Sequence, residues 1–330
     1  MKAAYIQQTG PPDVIQYGDL PDATAKRTEC LIKVSAVDVN PIDVYVRSGL
    51  VPVKLSFPFI LGRDVAGTVL EVGTAVKRFK PGDRVWASNQ GTDGRAGTFS
   101  ELAAVDERWL NMIPQTVSDE DIVALSLVGI TAHLGLVRKA KLKGGETLFV
   151  NGGSGGVGST VVQMAKILGA RVITTAGSDD KVRICRDLGA DLAVNYKTED
   201  VDAAIKGFAT KGINVWWETL REPSFERAIP FLAVRGRMIV MAGRDARPPL
   251  PVGPFYVKDC SLHGFAMFNA TPSEQRAAAE DINQWLVEGA LKARIDRTFA
   301  LSEAAQAHRL QEESTVGKNG SLSGKIVLKP

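Results

Sequence analysis

Cysteine and histidine are scarce in this chain, three of each in 330 residues, and that scarcity excludes several kinds of chemistry. Cys30, Cys185 and Cys260 stand far apart. Three cysteines cannot all pair, and their apolar, strand-like neighbours read as reduced thiols in or near a core, as in a cytoplasmic protein. His133, His263 and His308 are isolated, and neither C-x-x-C nor H-E-x-x-H spacing occurs, so no structural or catalytic zinc site is expected. Charge of either sign is also lacking in excess: 40 Lys and Arg against 37 Asp and Glu leave +3. That is too little and too scattered to argue for nucleic acid. No apolar run is expected to reach the roughly 20 residues of a membrane-crossing helix. M-K-A-A-Y-I runs directly into a strand-like alternation, with no charged-then-apolar leader ahead of it. The expectation is a metal-free cytoplasmic protein with neither membrane nor nucleic-acid partner.

Glycine, by contrast, is plentiful, and one cluster organises the chain. Thr147–Val150 reads as a strand that runs into N-G-G-S-G-G-V-G, and Val157, Val161, Met164, Ala165 and Leu168 then carry a helical apolar spacing. Gly153, Gly155 and Gly158 fit G-x-G-x-x-G, with Ser154, Gly156 and Val157 between them. The first glycine permits a tight turn, the second lets the backbone approach a pyrophosphate, and the third lets helix and strand pack closely. The N–H groups and positive dipole end of the new helix then face the phosphates. Strand, glycines and helix in this order indicate dinucleotide binding.

Residues 1 to about 120 read as mostly β. Ala3–Gln7, Cys30–Val37, Asp64–Val72 and Asp83–Ala87 are strands separated by Gly and Pro-Gly breakers, which predicts a barrel-like or sandwich domain. Ser88–Gly97 reads as a surface loop. At Ser118, followed by Asp119, Glu120 and Asp121, the period becomes helical. Strands are then expected at Arg171–Ala176, Leu192–Tyr196, Asn214–Glu218, Met238–Met241 and Ser261–Phe265. Between them lie helices at Lys181–Leu188, Glu199–Ala209, Glu222–Val234 and Pro272–Glu288. This alternation is the sequence form of a doubly wound parallel sheet. A helix at Ser302–Leu310 and a strand at Lys325–Leu328 return to the first domain. Residues 1–123 with 295–330 are therefore expected to form one domain, and residues 124–294 a Rossmann domain.

NAD binders place an acid about 20 residues beyond the glycines, on the ribose 2′-OH. Here that count reaches Ala176, Gly177 and Ser178, with Lys181 one helical turn on and Arg183 nearby. A hydroxyl and a cation suit a 2′-phosphate, which a carboxylate would repel. Asp179 and Asp180 read as first-turn helix residues, so NADPH is favoured over NADH. His133 reads as a structural histidine, Trp216 and Trp217 as packing residues, and Glu218 as a weak candidate near the cofactor loops.

Two polar runs remain, Asp38–Tyr45 with Arg47-Ser48-Gly49, and Gly62-Arg63-Asp64-Val65-Ala66-Gly67. Taken with V-N-P-x-x-x-Y-x-R-S-G (Val39–Gly49), P-G-D-R-V (Pro81–Val85), G-x-T-A (Gly129–Ala132) and G-V-G-x-x-V-x-x-x-A-K (Gly156–Lys166), they make the chain resemble the medium-chain dehydrogenase/reductase superfamily. More closely, it is similar to the zinc-free, zeta-crystallin-like quinone oxidoreductase branch. The resemblance implies an α/β protein: a GroES-like, mostly-β catalytic domain plus a Rossmann doubly wound parallel sheet, with cofactor and substrate in the cleft between them. Zinc-dependent relatives carry a cysteine near position 38 and Gly-His-Glu where Gly62-Arg63-Asp64 stands here, and they carry a four-cysteine loop that this chain lacks. A carbonyl or quinone would then be polarised by hydrogen bonds alone, with the redox chemistry left to NADPH.

By the same resemblance, Asn40 and Tyr45 line the substrate cleft beside the nicotinamide, with Tyr45 as proton donor. Thr131 lies near the nicotinamide ribose or ring. Ser178, Lys181 and Tyr196 form the 2′-phosphate pocket, and Gly243 joins the cofactor contacts. On their own residues, Asn40 also fits a turn before Pro41, and Tyr45 a packed aromatic. Val51 stands where some relatives have a second tyrosine. Thr315 follows Glu313-Ser314 where some have arginine, Lys318 being the nearest cation. The expected function is zinc-independent, NADPH-dependent reduction of quinones or related conjugated carbonyl compounds by a homodimer. Alternatives are reduction of an enone or alkenal C=C bond, and an NADPH-bound structural or RNA-binding crystallin-like protein.

Overall fold

The computed structural model describes residues 1–330. In its first part, eight strands surround one short helix: β1 (Lys2–Ile6), β2 (Gln16–Asp19), β3 (Glu29–Val39), α1 (Pro41–Ser48), β4 (Phe59–Ile60), β5 (Val65–Val72), β6 (Arg84–Ala87), β7 (Leu102–Asp106) and β8 (Leu110–Met112). The helix α2 (Asp119–His133) follows and continues through a π-helical turn at Leu134–Lys139. Then strands and helices alternate: β9 (Thr147–Val150), α3 (Gly156–Ile167), β10 (Arg171–Ala176), α4 (Asp179–Asp187), β11 (Leu192–Asn195), α5 (Val201–Phe208), β12 (Ile213–Glu218), α6 (Phe225–Phe231), β13 (Leu232–Val240), α7 (Val252–Val257) and β14 (Ser261–Gly264). The chain closes with α8 (Pro272–Val287), β15 (Ile295–Ala300), α9 (Ala304–Thr315) and β16 (Lys325–Lys329).

Packing divides the chain into two units, Met1–Leu127 with Thr271–Pro330, and Val128–Ala270. Relative to the sequence-based boundaries, α8 groups with the first unit. One reason is visible in its side chains: Asn283 on α8 accepts from the Trp86 indole at 3.2 Å and donates to Met112 O at 2.9 Å.

The first unit is built on β3. Its eleven residues pair antiparallel with β7, β5 and β16, so one strand anchors a seven-stranded sheet ordered β15-β16-β3-β5-β6-β8, with β7 alongside β3. A second, three-stranded sheet runs β2-β1-β4. Ile6, Ile32, Val34, Val65, Val85, Phe99, Leu110 and Ile326 meet in the core. The run Asn40–Gly49, read as a polar stretch in a β region, is the helix α1. Pro41 sits at its first turn, where a missing N–H costs nothing, and Gly49 ends it in the left-handed conformation at φ 82°. Arg47, wholly buried, holds the helix by donating to Gly10 O at 2.7 Å and to Glu312 on α9 at 2.9 Å.

The second unit holds one wholly parallel sheet ordered β11-β10-β9-β12-β13-β14. In sequence rank this is 3-2-1-4-5-6, the doubly wound order whose crossovers leave in opposite directions from β9 and β12. Phe149 and Trp216, ring centroids 4.0 Å apart, pack in its core beside Ile173, Val194 and Ile229.

Three expectations change. The helix expected to run to Val234 stops at Phe231, because Leu232 already pairs with Ile213 as the start of β13. The loop at Ser88–Gly97 is not all surface. Ser88, Asn89 and Gln90 are buried, and the Arg63 guanidinium satisfies the carbonyls of Gln90 and Gly91, each at 3.1 Å. A membrane-length apolar helix does exist by composition: Asp119–Lys139, 21 residues with mean hydropathy 1.5. Most of it is buried within the protein, as a core helix is.

His308 on α9 is wholly buried, edge-on to Phe99 with ring centroids 5.9 Å apart. Burial, with Arg47 adding to it, pushes its pKa down to about 3 from 6.5. The folded state therefore refuses a proton that the unfolded chain accepts below pH 6.5. This contribution is complete above that pH and is lost as pH falls toward about 3. Between pH 7.5 and 5 it amounts to about 2 kcal/mol, and His308→Leu should remove it. Urea unfolding of both proteins at the two pH values checks this. Parallel losses in wild type and variant would show that His308 does not contribute.

Candidate functional site

The glycine cluster occupies the carboxyl end of β9, where the three glycines answer different steric demands. A Cβ on Gly153 would stand 2.2 Å from Thr174 Oγ1, and one on Gly158 would stand 2.1 Å from Gly152 O. Both positions are closed by the protein's own packing. On Gly155 the nearest atom would be Gly152 O at 3.7 Å, and Gly155 is exposed. Only there does the missing side chain leave open space. Gly155 is also the N-cap of α3 and offers that helix no side-chain acceptor, so the first N–H groups of Gly156, Val157 and Gly158 lack an intrahelical partner. Open space before an uncapped helix N-terminus fits a pyrophosphate.

Neighbouring strands bring Ser178 and Tyr196 to the same end of the sheet. Thr174 pairs with Val150 and Ala176 with Asn195, so β9, β10 and β11 finish together. Ser178 caps α4, its hydroxyl accepting from Lys181 N at 3.4 Å, which fixes the first turn that carries Lys181. The half-exposed Tyr196 lies across Gly177: a Cβ there would be 2.5 Å from the Tyr196 hydroxyl. The nearby acids are engaged elsewhere. Asp179 accepts from Asn195 Nδ2 at 2.8 Å, and Asp180 pairs with Arg183. Gly243, with φ 84°, lies three residues beyond β13, against the backbone of Arg221. Thr131 is buried on α2.

In the first unit, the two polar runs converge on a buried charge cluster. Asp38 and Asn40 lie at the end of β3, Asp43 on α1, Arg63 and Asp64 before β5, and Lys325 at the start of β16. Lys325 Nζ lies 2.8 Å from Asp38 Oδ2 and donates to Asn40 Oδ1 at 2.5 Å and Val39 O at 3.0 Å. Asn40 Nδ2 donates to Asp38 Oδ1 at 3.0 Å and Asp64 Oδ2 at 2.9 Å. Asp43 accepts from Asn40 N at 2.9 Å and faces Arg63 Nε at 3.4 Å. Both amide protons and the carbonyl oxygen of Asn40 are thus committed inside the protein.

Burial raises the Asp64 carboxyl well above its ordinary range, and the negative Asp38 beside it adds to the shift, against Lys325 and Ser88. Asp43 is raised to about 6 by burial, with Arg63 and Asn40 N opposing.

Sequence reading singled out Asp38, Asn40, Asp43, Arg63 and Asp64 as clusters but missed Lys325. Its partner Asn40 is 285 positions away, and only an ionisable residue opening an apolar strand hinted at it. Among the remaining candidates, Glu218 has a buried carboxyl that accepts from Asn151, Trp216 Nε1 and Leu220 N.

The first unit's charges also bear on metal. Arg63 and Lys325 are cations within the cluster, and no three His, Cys, Asp or Glu side chains group as a set that could hold a metal ion. The donor set does not fit zinc.

Removing the ammonium would leave Asp38 and Asn40 Oδ1 buried without it. Lys325→Met should cost about 3–5 kcal/mol. Asp64→Asn offers a donor toward Asp38 and keeps an acceptor toward Asn40, and should cost less than about 1 kcal/mol. Denaturant titration of the two variants reads the contrast, and equal losses would overturn this account of the charges.

Residues 26–115 match the alcohol dehydrogenase GroES-like domain family, and residues 156–284 the zinc-binding dehydrogenase family. A quinone oxidoreductase from Sus scrofa is 31% identical over 332 residues, covering 99% of this chain and 97% of that protein. Among solved structures, the Escherichia coli quinone oxidoreductase complexed with NADPH superposes with a TM-score of 0.88 at 27% identity, over the whole of both chains. An NAD-dependent alcohol dehydrogenase also gives 0.88, at 30% identity over the same extent.

Proposed function

We propose a specific reaction for a chain that belongs to the quinone oxidoreductase branch of the medium-chain dehydrogenase/reductase superfamily: NADPH-dependent, zinc-independent reduction of quinones or related conjugated carbonyl compounds. The chain is an oxidoreductase, and the open question is its cofactor and acceptor. NADPH, when bound, supplies the hydride. The residues present fit that cofactor: the Gly153–Gly158 backbone takes the pyrophosphate, and Ser178, Lys181 and Tyr196 take the 2′-phosphate. Thr131 and Gly243 serve the nicotinamide half.

The observation that carries the choice of NADPH is the treatment of the acids. The β10 end presents a hydroxyl and a lysine, while Asp179 is tied to Asn195. A carboxylate so held does not reach for a ribose 2′-OH. No zinc step enters the reading, because the donor set does not fit that metal. Tyr45 then supplies the proton from its phenol, and the fully engaged Asn40 acts by fixing the start of the helix that carries Tyr45. The enzyme is read as a cytoplasmic homodimer pairing through β14. That edge strand and the segment before it expose Leu262, Tyr256 and Val257, and its own unpaired backbone groups invite a partner.

The purified protein should oxidise NADPH with 1,2-naphthoquinone faster than with a simple enone; the reverse order would favour the C=C reductase reading. Lys181→Ala combined with Ser178→Ala should raise KM for NADPH by about 10- to 100-fold, the size of a lost charge-assisted hydrogen bond, with KM for NADH unchanged. No turnover of NADPH with any quinone or enone would refute the proposal.

A further inference from the structure

Glu218 and Asn151 meet where the doubly wound sheet reverses. Asn151 follows β9 and Glu218 ends β12, the two central strands, which pair through Val150 and Trp217. Asn151 N donates to Trp217 O at 3.0 Å, so the backbone ladder continues to the very end of both strands. Beyond it the side chains take over. Asn151 Nδ2 lies 3.1 Å from Glu218 Oε1 and 3.3 Å from Oε2. Thr175 on β10 donates from Oγ1 to Asn151 Oδ1 at 2.9 Å, and the same oxygen accepts from Gly152 N at 3.0 Å. All three side chains are more than nine-tenths buried.

We propose that Glu218, Asn151 and Thr175 form a directional hydrogen-bond relay that sets the backbone of Gly152, and through it the pyrophosphate-binding turn; all three are positioning residues for the cofactor. The inference rests on the reading that the glycine loop holds a dinucleotide.

The direction follows from proton counting. Each polar group that meets the Glu218 carboxyl, Asn151 Nδ2, Trp216 Nε1 and Leu220 N, is a donor, so the carboxyl only accepts. Glu218 therefore fixes the amide of Asn151 with its nitrogen toward β12 and its oxygen toward β10. That oxygen takes the single proton of the Thr175 hydroxyl, which leaves a lone pair of Oγ1 for Gly152 N. Trp216 Nε1 at 3.4 Å and Leu220 N at 2.9 Å also donate to Glu218 and hold the carboxylate at the strand end.

Gly152 in turn governs the loop. It adopts φ 79°, its neighbour Gly153 donates from N to Thr175 O at 3.0 Å, and its carbonyl leaves no room for a Cβ on Gly158. A displaced Gly152 would move the first turn of α3. Burial raises the Glu218 pKa, while the donors around it oppose the shift.

The relay acts on the turn shared by all dinucleotides, whereas Ser178 and Lys181 act on the 2′-phosphate alone. Dissociation constants for NADPH and NADH, by fluorescence titration of the full-length protein, therefore distinguish the two systems. Thr175→Val, which removes the hydroxyl while keeping the shape, and Glu218→Gln should each weaken both dinucleotides about tenfold, the scale of one or two net hydrogen bonds. KM for the quinone should stay unchanged.

Asn151→Asp alone sets two carboxyls face to face, and adding Glu218→Gln puts a donor back between them and should recover most of the affinity that Asn151→Asp loses, an outcome that simple loss of packing would not give. If Glu218→Gln does not fold, Thr175→Val carries the same test. Variants that bind both cofactors like wild type, loss confined to NADPH, or a double swap no better than Asn151→Asp alone would overturn the relay alone. A wild-type protein that binds neither dinucleotide would overturn the cofactor reading and the relay together.

Discussion

Charge buried in the first unit is tolerable because two cations are buried with it, the Lys325 ammonium and the Arg63 guanidinium. Asp38, Asp43 and Asp64 lie with them almost entirely out of water, and an isolated buried ion costs several kcal/mol even after relaxation. Lys325 offsets Asp38, Arg63 offsets Asp43, and burial beside Asp38 raises the Asp64 pKa. These charges are met by pairing inside the protein rather than by solvation. It also has a mechanical effect. Lys325 opens β16, Asp38 and Asn40 close β3, and Asp64 opens β5, so the same contacts that neutralise charge align three strand ends. The start of α1 is fixed at the one residue, Asn40, that touches all of them.

The second unit meets a related demand with neutral groups. A parallel sheet ends in a row of backbone carbonyls and N–H groups that must find partners where the chain turns. At the end of β9 the turn also leaves open space before the N-terminus of helix α3. Glycine answers both needs differently along the loop. Gly153 and Gly158 are forced by contacts of the protein with itself, and Gly155 by the space kept before the helix. A motif written as three equivalent glycines thus combines two positions closed by packing with one left open.

Much of this was legible in the sequence because it is local. The strand–glycine–helix order, the N-cap Ser178, the parallel-sheet alternation and the Pro41 and Gly49 brackets of a short segment all act within a few residues of each other. What was not legible depends on pairs distant in the chain. Nothing near Lys325 announces that it will meet Asn40. Nothing near Gln90 and Gly91 announces that Arg63 will satisfy their carbonyls and draw the loop inward. The missed helix α1 shows the opposite failure: its eight residues lie among strands and bury a polar side chain, Arg47, so neither context nor periodicity marked it. The helix from Asp119 was expected, but not its membrane-length apolar run, which starts only after the three acids of its first turn and which folding then buries.

The end of β10 shows how one strand can serve two separate tasks. Thr175 faces β9 and holds the backbone of the glycine turn, while Ser178, three residues on, caps α4 and presents Lys181. Asn195 at the end of β11 ties Asp179 on the far side. Each contact uses a different side chain, and none shares a partner with another. Changes at such independent positions combine additively. Within the reading that this loop binds a dinucleotide, the strength of binding and the choice between NADPH and NADH are therefore separable properties. The choice can be altered at Ser178, Lys181 and Asn195 without disturbing the turn that Glu218, Asn151 and Thr175 set.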